Sequence, residues 1–300
     1  MHAIANNLRD FDCLFTPFYV DGFWELCRRM GLIEFTIAGQ RWRSQCLSYL
    51  RDRGLDIDFG GQKRAYDLVV SCTDLFVPRN VVGAPGVLVQ EGMTDPENLL
   101  FHLVKRVRAV PRFFASTAAT GLSHWYERFC VASQGYRDLF ARKGVDPKKM
   151  VVTGIPNFDD CSRYVDNDFP HRGHVLVCTS DARETFKLHR RRPVIDKALR
   201  LAGGRRIIFK LHPNENVTRA TREIARLAPG ALVLTAGCTE HMIANCDILI
   251  TEFSSTAFVG LALGKEVHSE FPLADLERLL PLQNRAAAHN IAGVCREVLQ

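Results

Sequence analysis

Ten short, mostly apolar runs recur along the chain, each separated from the next by a longer or amphipathic stretch, and few folds tolerate that rhythm. The runs lie at 13–15, 35–38, 67–70, 86–89, 129–132, 150–153, 174–177, 206–209, 231–234 and 247–250. Gly86-Val87-Leu88-Val89 and His174-Val175-Leu176-Val177 are typical. They are apolar with little alternation, as parallel strands covered on both faces must be. Between them, 21–30, 41–53, 135–143 and 184–201 carry apolar residues at helical spacing. Strand–helix alternation of this kind predicts an α/β chain with doubly wound parallel sheets.

At 300 residues there is room for two such sheets. The polar, acidic stretch 159–168, which follows Gly154-Ile155-Pro156-Asn157, marks the expected boundary. It divides the chain into an N-terminal Rossmann-like domain at 1–160 and a C-terminal one at 161–300. The segment 1–10 reads as a helix, where such domains normally open on a strand, so the first strand is expected to be missing. With 47% hydrophobic and 24% charged residues the composition is that of a soluble globular chain. The net charge of +6 suits an anionic small molecule or an acidic membrane surface and is too weak and dispersed for nucleic acid. Ten cysteines form no C-x-x-C pair. Most of them read as buried free thiols in a cytoplasmic protein, and no metal site is expected.

Three loops follow strands in the second half, and ligands of open parallel sheets gather at the carboxyl ends of strands. Thr179-Ser180-Asp181-Ala182-Arg183 follows one strand and Lys210-Leu211-His212-Pro213-Asn214-Glu215 another. Thr251-Glu252-Phe253-Ser254-Ser255-Thr256 leads into a helix at 257–263. Hydroxyls on Ser254, Ser255 and Thr256 at a helix start suit a diphosphate, with plain helix capping as the alternative. His212, turned out of its strand by Pro213, can donate to a phosphate oxygen or serve as a structural histidine.

These residues carry a resemblance. Leu211-His212-Pro213-Asn214, the Thr-Glu-Phe-Ser-Ser-Thr turn and Leu261-Ala262-Leu263-Gly264-Lys265 resemble the C-terminal half of GT-B-fold nucleotide-sugar enzymes. The CDP-glycerol glycerophosphotransferases and capsule-type glycosyltransferases are similar, and so, more distantly, are the UDP-N-acetylglucosamine 2-epimerases. Val152-Thr153-Gly154-Ile155-Pro156-Asn157 resembles the segment that joins the two domains in both groups. The resemblance covers roughly residues 86–265. It implies two Rossmann-like domains facing a central cleft, with no cofactor beyond a nucleotide-diphosphate donor as substrate. It also implies a diphosphate site formed by Ser180, Lys210, His212, Glu252, Ser254, Ser255 and Thr256.

The chain departs from the usual pattern at Glu266, where a proline is expected, and from the epimerases alone at Ser254-Ser255, where they carry glycines and the transferase group carries serines. The histidine of the epimerase segment is absent from Ser180-Asp181-Ala182-Arg183-Glu184-Thr185. The favoured expectation is therefore a transferase passing a glycosyl or glycerol-phosphate group to an anionic or lipid-linked acceptor in cell-surface polysaccharide or glycolipid synthesis. A 2-epimerase-like isomerase and a non-catalytic nucleotide-sugar-binding protein are the alternatives.

Glu91, after the strand 86–89 and beside Gly92, is the candidate general base, with His212 as the other catalytic candidate. Asp74 is a second, more structural carboxylate, and Asp95 before Pro96 reads as a helix cap. Residues 105–114 mix cations with apolar side chains, as segments that touch anionic membrane do. Peripheral contact with the inner face of the plasma membrane is the corresponding expectation.

Overall fold

The computed structural model describes residues 1–33, 39–107, 110–180, 183 and 190–300. The chain forms two compact units, one of residues 1–156 with 285–300 and the other of residues 157–284. Nine strands run through the described residues: β1 (Val69–Ser71), β2 (Gly86–Val89), β3 (Arg128–Val131), β4 (Met150–Val152), β5 (His174–Cys178), β6 (Ile207–Lys210), β7 (Leu232–Leu234), β8 (Cys246–Thr251) and β9 (Glu266–His268). Every strand pairing is parallel, giving an α/β protein with one Rossmann-like sheet per unit.

In the first unit the sheet order is β1-β2-β3-β4, without reversal. Right-handed crossovers along such an order fall on one face of the sheet. Helix Gln134–Lys143, joining β3 to β4, covers that face, where Phe129 packs against Phe140. The opposite face presents Val87, Val89 and Cys130. Helix Ala287–Leu299 closes it with Ile291, Ala292, Val294 and Cys295, joined by Ile4 and Leu8 from the amino terminus. This need for a second cover is why residues 285–300 belong to the first unit and not, as expected, to the second. The units also part at Pro156 and Asn157, slightly before the expected 160.

In the second unit the order is β7-β6-β5-β8-β9. The chain builds outward from β5 through β6 to β7, then returns to lay β8 on the other side of β5. That reversal makes a topological switch point between β5 and β8. Helices Arg192–Ala202 and Val217–Leu227 pack Ile195, Ala198, Ala220 and Ile224 on one face. Met242, Ile243 and Val259 from helices Thr239–Asn245 and Thr256–Ala262 cover the other.

Several expectations shift. Residues 13–15 form only an isolated bridge, Phe15 with Ile57, and the amino-terminal helix is confined to His2–Ala5. The expected strand at 35–38, and residues 184–189 of an expected helix, lie outside the described residues. All ten cysteines are free. Cys72, expected in the core, is only partly buried, because it sits where the chain leaves β1 rather than within the strand.

Candidate functional site

Strand register aligns the three loops of the second unit. Cys178 pairs with Lys210 on one side and with Thr251 on the other. The residues that follow, Thr179, Leu211 and Glu252, therefore leave the sheet together at its carboxyl edge.

Across the β5–β8 switch point the Ser180 hydroxyl donates to Oε2 of Glu252. Glu252 is buried, and its carbonyl accepts from the Ser269 hydroxyl at 2.8 Å. Beside it, the Ser254 hydroxyl accepts from the Thr256 N–H at 3.3 Å and from the Thr256 hydroxyl at 2.9 Å. Ser255 is the cap residue of the helix, but its own side chain makes no cap bond. The hydroxyl that meets the first turn comes from Ser254. The residues brought together here are thus Ser180, Glu252, Ser254 and Thr256.

Between β5 and β6 a second, buried network holds the histidine loop. The Thr179 hydroxyl donates to the Glu215 carboxylate, which also accepts from the His212 N–H at 2.9 Å. Glu215 returns its own N–H to the His212 carbonyl at 3.0 Å. This reciprocity across three residues repeats the logic of a capping box. Arg191, almost fully buried, pairs with Glu215 and reaches Glu223 at 3.4 Å. Arg183 joins the same carboxylate of Glu223 at 2.9 Å.

The ring of His212 is half-buried, and its Nδ1 accepts the Asn214 N–H at 3.2 Å. A neutral imidazole with Nδ1 as acceptor carries its proton on Nε2. The loop thereby fixes the tautomer. Lys210 stays within the sheet edge: it is buried, and Nζ donates to the Leu211 carbonyl at 3.1 Å.

In the first unit the carboxyl edge of β2 carries Glu91. Buried Gln90 donates from Nε2 to the Gly92 carbonyl at 2.8 Å and accepts the Ala132 N–H at 2.9 Å. It pins the turn that presents Glu91 against the end of β3. Glu91 meets solvent at its surface, while the surrounding loops desolvate its carboxyl and raise its pKa above the usual carboxylate range. Cys72 stands close by. Burial, with the Glu91 charge adding to it, pushes its thiol up to about 11.

Asp74 is fully buried and accepts backbone N–H groups of Gly121 at 3.0 and 3.1 Å and of Ser123 at 3.0 Å. It anchors the 121–123 turn, the structural role expected of it. Asp95 does not cap the next helix: Asn98 does, accepting from the Phe101 N–H, while Asp95 binds the Thr117 hydroxyl at 2.9 Å. The cap sits three residues later because the helix begins at Leu99.

The sequence assigns no site role to Thr179, Glu215, Arg191 or Gln90. Only Glu215 left a signal there, standing three residues after His212. The others are ordinary polar residues until the sheet brings them together.

No protein-family model and no curated protein matches the sequence. Solved structures of similar fold include the UDP-GlcNAc 2-epimerase of Methanocaldococcus jannaschii in complex with UDP-GlcNAc and UDP. It is 12% identical, over 84% of this chain and 79% of that one, with a TM-score of 0.53. The Neisseria meningitidis UDP-GlcNAc 2-epimerase bound to UDP-GlcNAc is 13% identical over 85% and 80%, with a TM-score of 0.50. A variant of the wall teichoic acid polymerase TagF is 11% identical over 81% and 77%, at 0.48. UDP-GlcNAc 2-epimerases, one of the groups that the sequence resembles, are therefore among the similar structures. At these identities the likeness is one of fold, carried by the two epimerase structures: two Rossmann-like parallel-sheet units of the GT-B type.

Proposed function

We propose that the second unit binds a nucleotide-diphosphate donor at the β5–β8 switch point. We propose further that the protein transfers the donor's glycosyl or glycerol-phosphate group to an acceptor hydroxyl. The observation that carries the reading is the gathering of Ser180, Glu252, Ser254 and Thr256 at the β5–β8 switch point, with His212 on the neighbouring loop after β6, bonded to Thr179. His212, with Nε2 as its N–H, and the hydroxyls of Ser254, Ser255 and Thr256 have the chemistry of neutral donors to phosphate oxygens.

Glu252 fits a different part of the donor. An ionised carboxylate only accepts hydrogen bonds and repels phosphate, so it suits a sugar hydroxyl, in line with its bond to the Ser180 hydroxyl. Donors aimed at the diphosphate stabilise charge that grows as the bond to the transferred group breaks. Glu91, with its raised pKa, has the properties of a general base toward an acceptor hydroxyl.

A thermal-shift panel of UDP, CDP, GDP and their sugar or alditol conjugates tests the reading. The correct ligand at 100 times its dissociation constant adds about 2.7 kcal/mol to apparent stability. Absence of any shift would sink the donor site, and with it both the transferase reading and the nucleotide-sugar-binding alternative. Epimerised sugar nucleotide or free UDP without a transferred product would favour the isomerase.

A further inference from the structure

The loops after β8 and β9 carry two phenylalanines that belong to neither core of the second unit. Register brings these loops out together. Ile250 pairs with His268, so Glu252 and Ser269 both lie beyond the carboxyl edge of the sheet. Phe253 follows Glu252 and is 50% exposed. Its ring meets that of the partly buried Phe271 edge-on, with ring centres 4.9 Å apart and planes at 85°.

The backbone holds this pair in place. The Glu252 carbonyl accepts the Ser254 N–H at 3.1 Å, closing a three-residue turn with Phe253 at its apex. The same carbonyl accepts from the Ser269 hydroxyl at 2.8 Å, and that hydroxyl accepts the Phe271 N–H at 3.2 Å. Ser269 thus ties the β9 loop to the β8 turn and sets one ring against the other. An aromatic ring left half in water contributes little to folding. At the carboxyl edge of a parallel sheet, such a ring beside a few placed polar groups is the make-up of a ligand site.

We propose that Phe253, backed by Phe271, stacks on the C–H face of an uncharged hexopyranose carried by the donor, while the Glu252 carboxylate accepts from its hydroxyls. The proposal rests on the donor site read at the β5–β8 switch point, and it narrows the transferred group to a glycosyl unit. The face of an aromatic ring is electron-rich and attracts positively polarised C–H groups. A carboxylate attracts O–H donors. A pyranose offers both at once, a face of C–H bonds and a rim of hydroxyls. Glycerol lacks the ring face, and a nucleobase lacks the hydroxyl rim. A sugar acid would set its own carboxylate against Glu252.

Calorimetry compares each nucleoside diphosphate with its conjugates: UDP with UDP-glucose, CDP with CDP-glucose and CDP-glycerol, GDP with GDP-mannose. For the base that the protein accepts, the hexose conjugate should bind about tenfold more tightly than the parent diphosphate. Phe253→Ala should erase that difference and leave the affinity for the parent diphosphate unchanged. Phe253→Leu, apolar but without a ring, should lose most of it, and Phe253→Tyr should keep it. Circular dichroism confirms that each variant folds. If the parent protein binds none of these ligands, the donor site itself is wrong and the proposal falls with it. If the parent protein binds them, three results overturn the proposal alone. These are an unchanged hexose preference in Phe253→Ala, an equal loss of affinity for the bare diphosphate, which would assign the ring to the nucleoside, and a Phe253-dependent gain with CDP-glycerol as large as with CDP-glucose.

Discussion

The backbone N–H of Asn214 donates to Nδ1 of His212 at 3.2 Å, and through this bond the loop after β6 decides which ring nitrogen carries the proton. His212 leaves the sheet at Pro213 with its main chain held by Glu215 and its ring held by Asn214. A side chain restrained at both ends loses little freedom when it binds a ligand, which favours a role in binding.

On the proposed donor site, His212→Ala removes a charge-assisted hydrogen bond worth about 1.5–3 kcal/mol. Nucleotide affinity measured by calorimetry should fall roughly ten- to hundredfold, with the unfolding midpoint nearly unchanged. Unaltered affinity would make His212 a structural residue.

Glu215→Ala leaves the buried Arg191 with only Glu223 at 3.4 Å and the His212 N–H with only the Thr179 hydroxyl at 3.2 Å. Breaking a buried ion pair costs about 3–5 kcal/mol. Denaturant unfolding should show that loss, and a loss below about 1 kcal/mol would mean that water replaces the carboxylate. Arg191→Met with Glu215→Leu, which removes both charges, should recover much of the stability.

Glu91→Gln preserves shape and cannot take a proton. Turnover of the donor should drop by about 10²–10⁴ while nucleotide affinity stays the same. Activity within a few-fold of the parent would remove Glu91 from the chemistry.

Burial lowers the pKa of His174, which is 1% exposed, from 6.5 to about 4; the nearby His171 adds to the shift and Asp247 opposes it. The unfolded chain therefore binds a proton here that the folded chain refuses. Stability is unaffected above about pH 6.5 and declines as pH falls toward about 4. The full loss is about 3 kcal/mol at 1.36 kcal/mol per pH unit. His174→Leu should flatten that part of the stability–pH curve in urea titrations, and an identical slope in both proteins would show that other groups set it.

The parallel strands were legible in sequence because they are buried on both faces. β2 and β5, buried at every position, read as unbroken apolar runs. β9 left no such trace: it has three residues, sits at the sheet edge and opens on exposed Glu266. The run at 13–15 looked like a strand because apolar content marks burial, and Phe15 finds only a single bridge. His212 and the hydroxyls at 254–256 were legible through their spacing and resemblance. The roles of Arg191, Thr179 and Gln90 were not, because each depends on a partner 24 to 42 residues away: Glu215 for Arg191, Glu215 for Thr179 and Ala132 for Gln90.

The sequence by itself determined that this chain is α/β, that its strands are parallel and which loops end at a carboxyl edge, since hydrophobic period and turn residues are local properties. The tertiary structure decided what those properties leave open. An apolar stripe says that a helix must be covered, not by which sheet, so the return of helix Ala287–Leu299 to the first unit emerged only from the unreversed order β1-β2-β3-β4. Likewise, Ser180 and Glu252 are 72 residues apart. They meet because β8 lies beside β5, and strand neighbours are chosen by the packing of the whole unit.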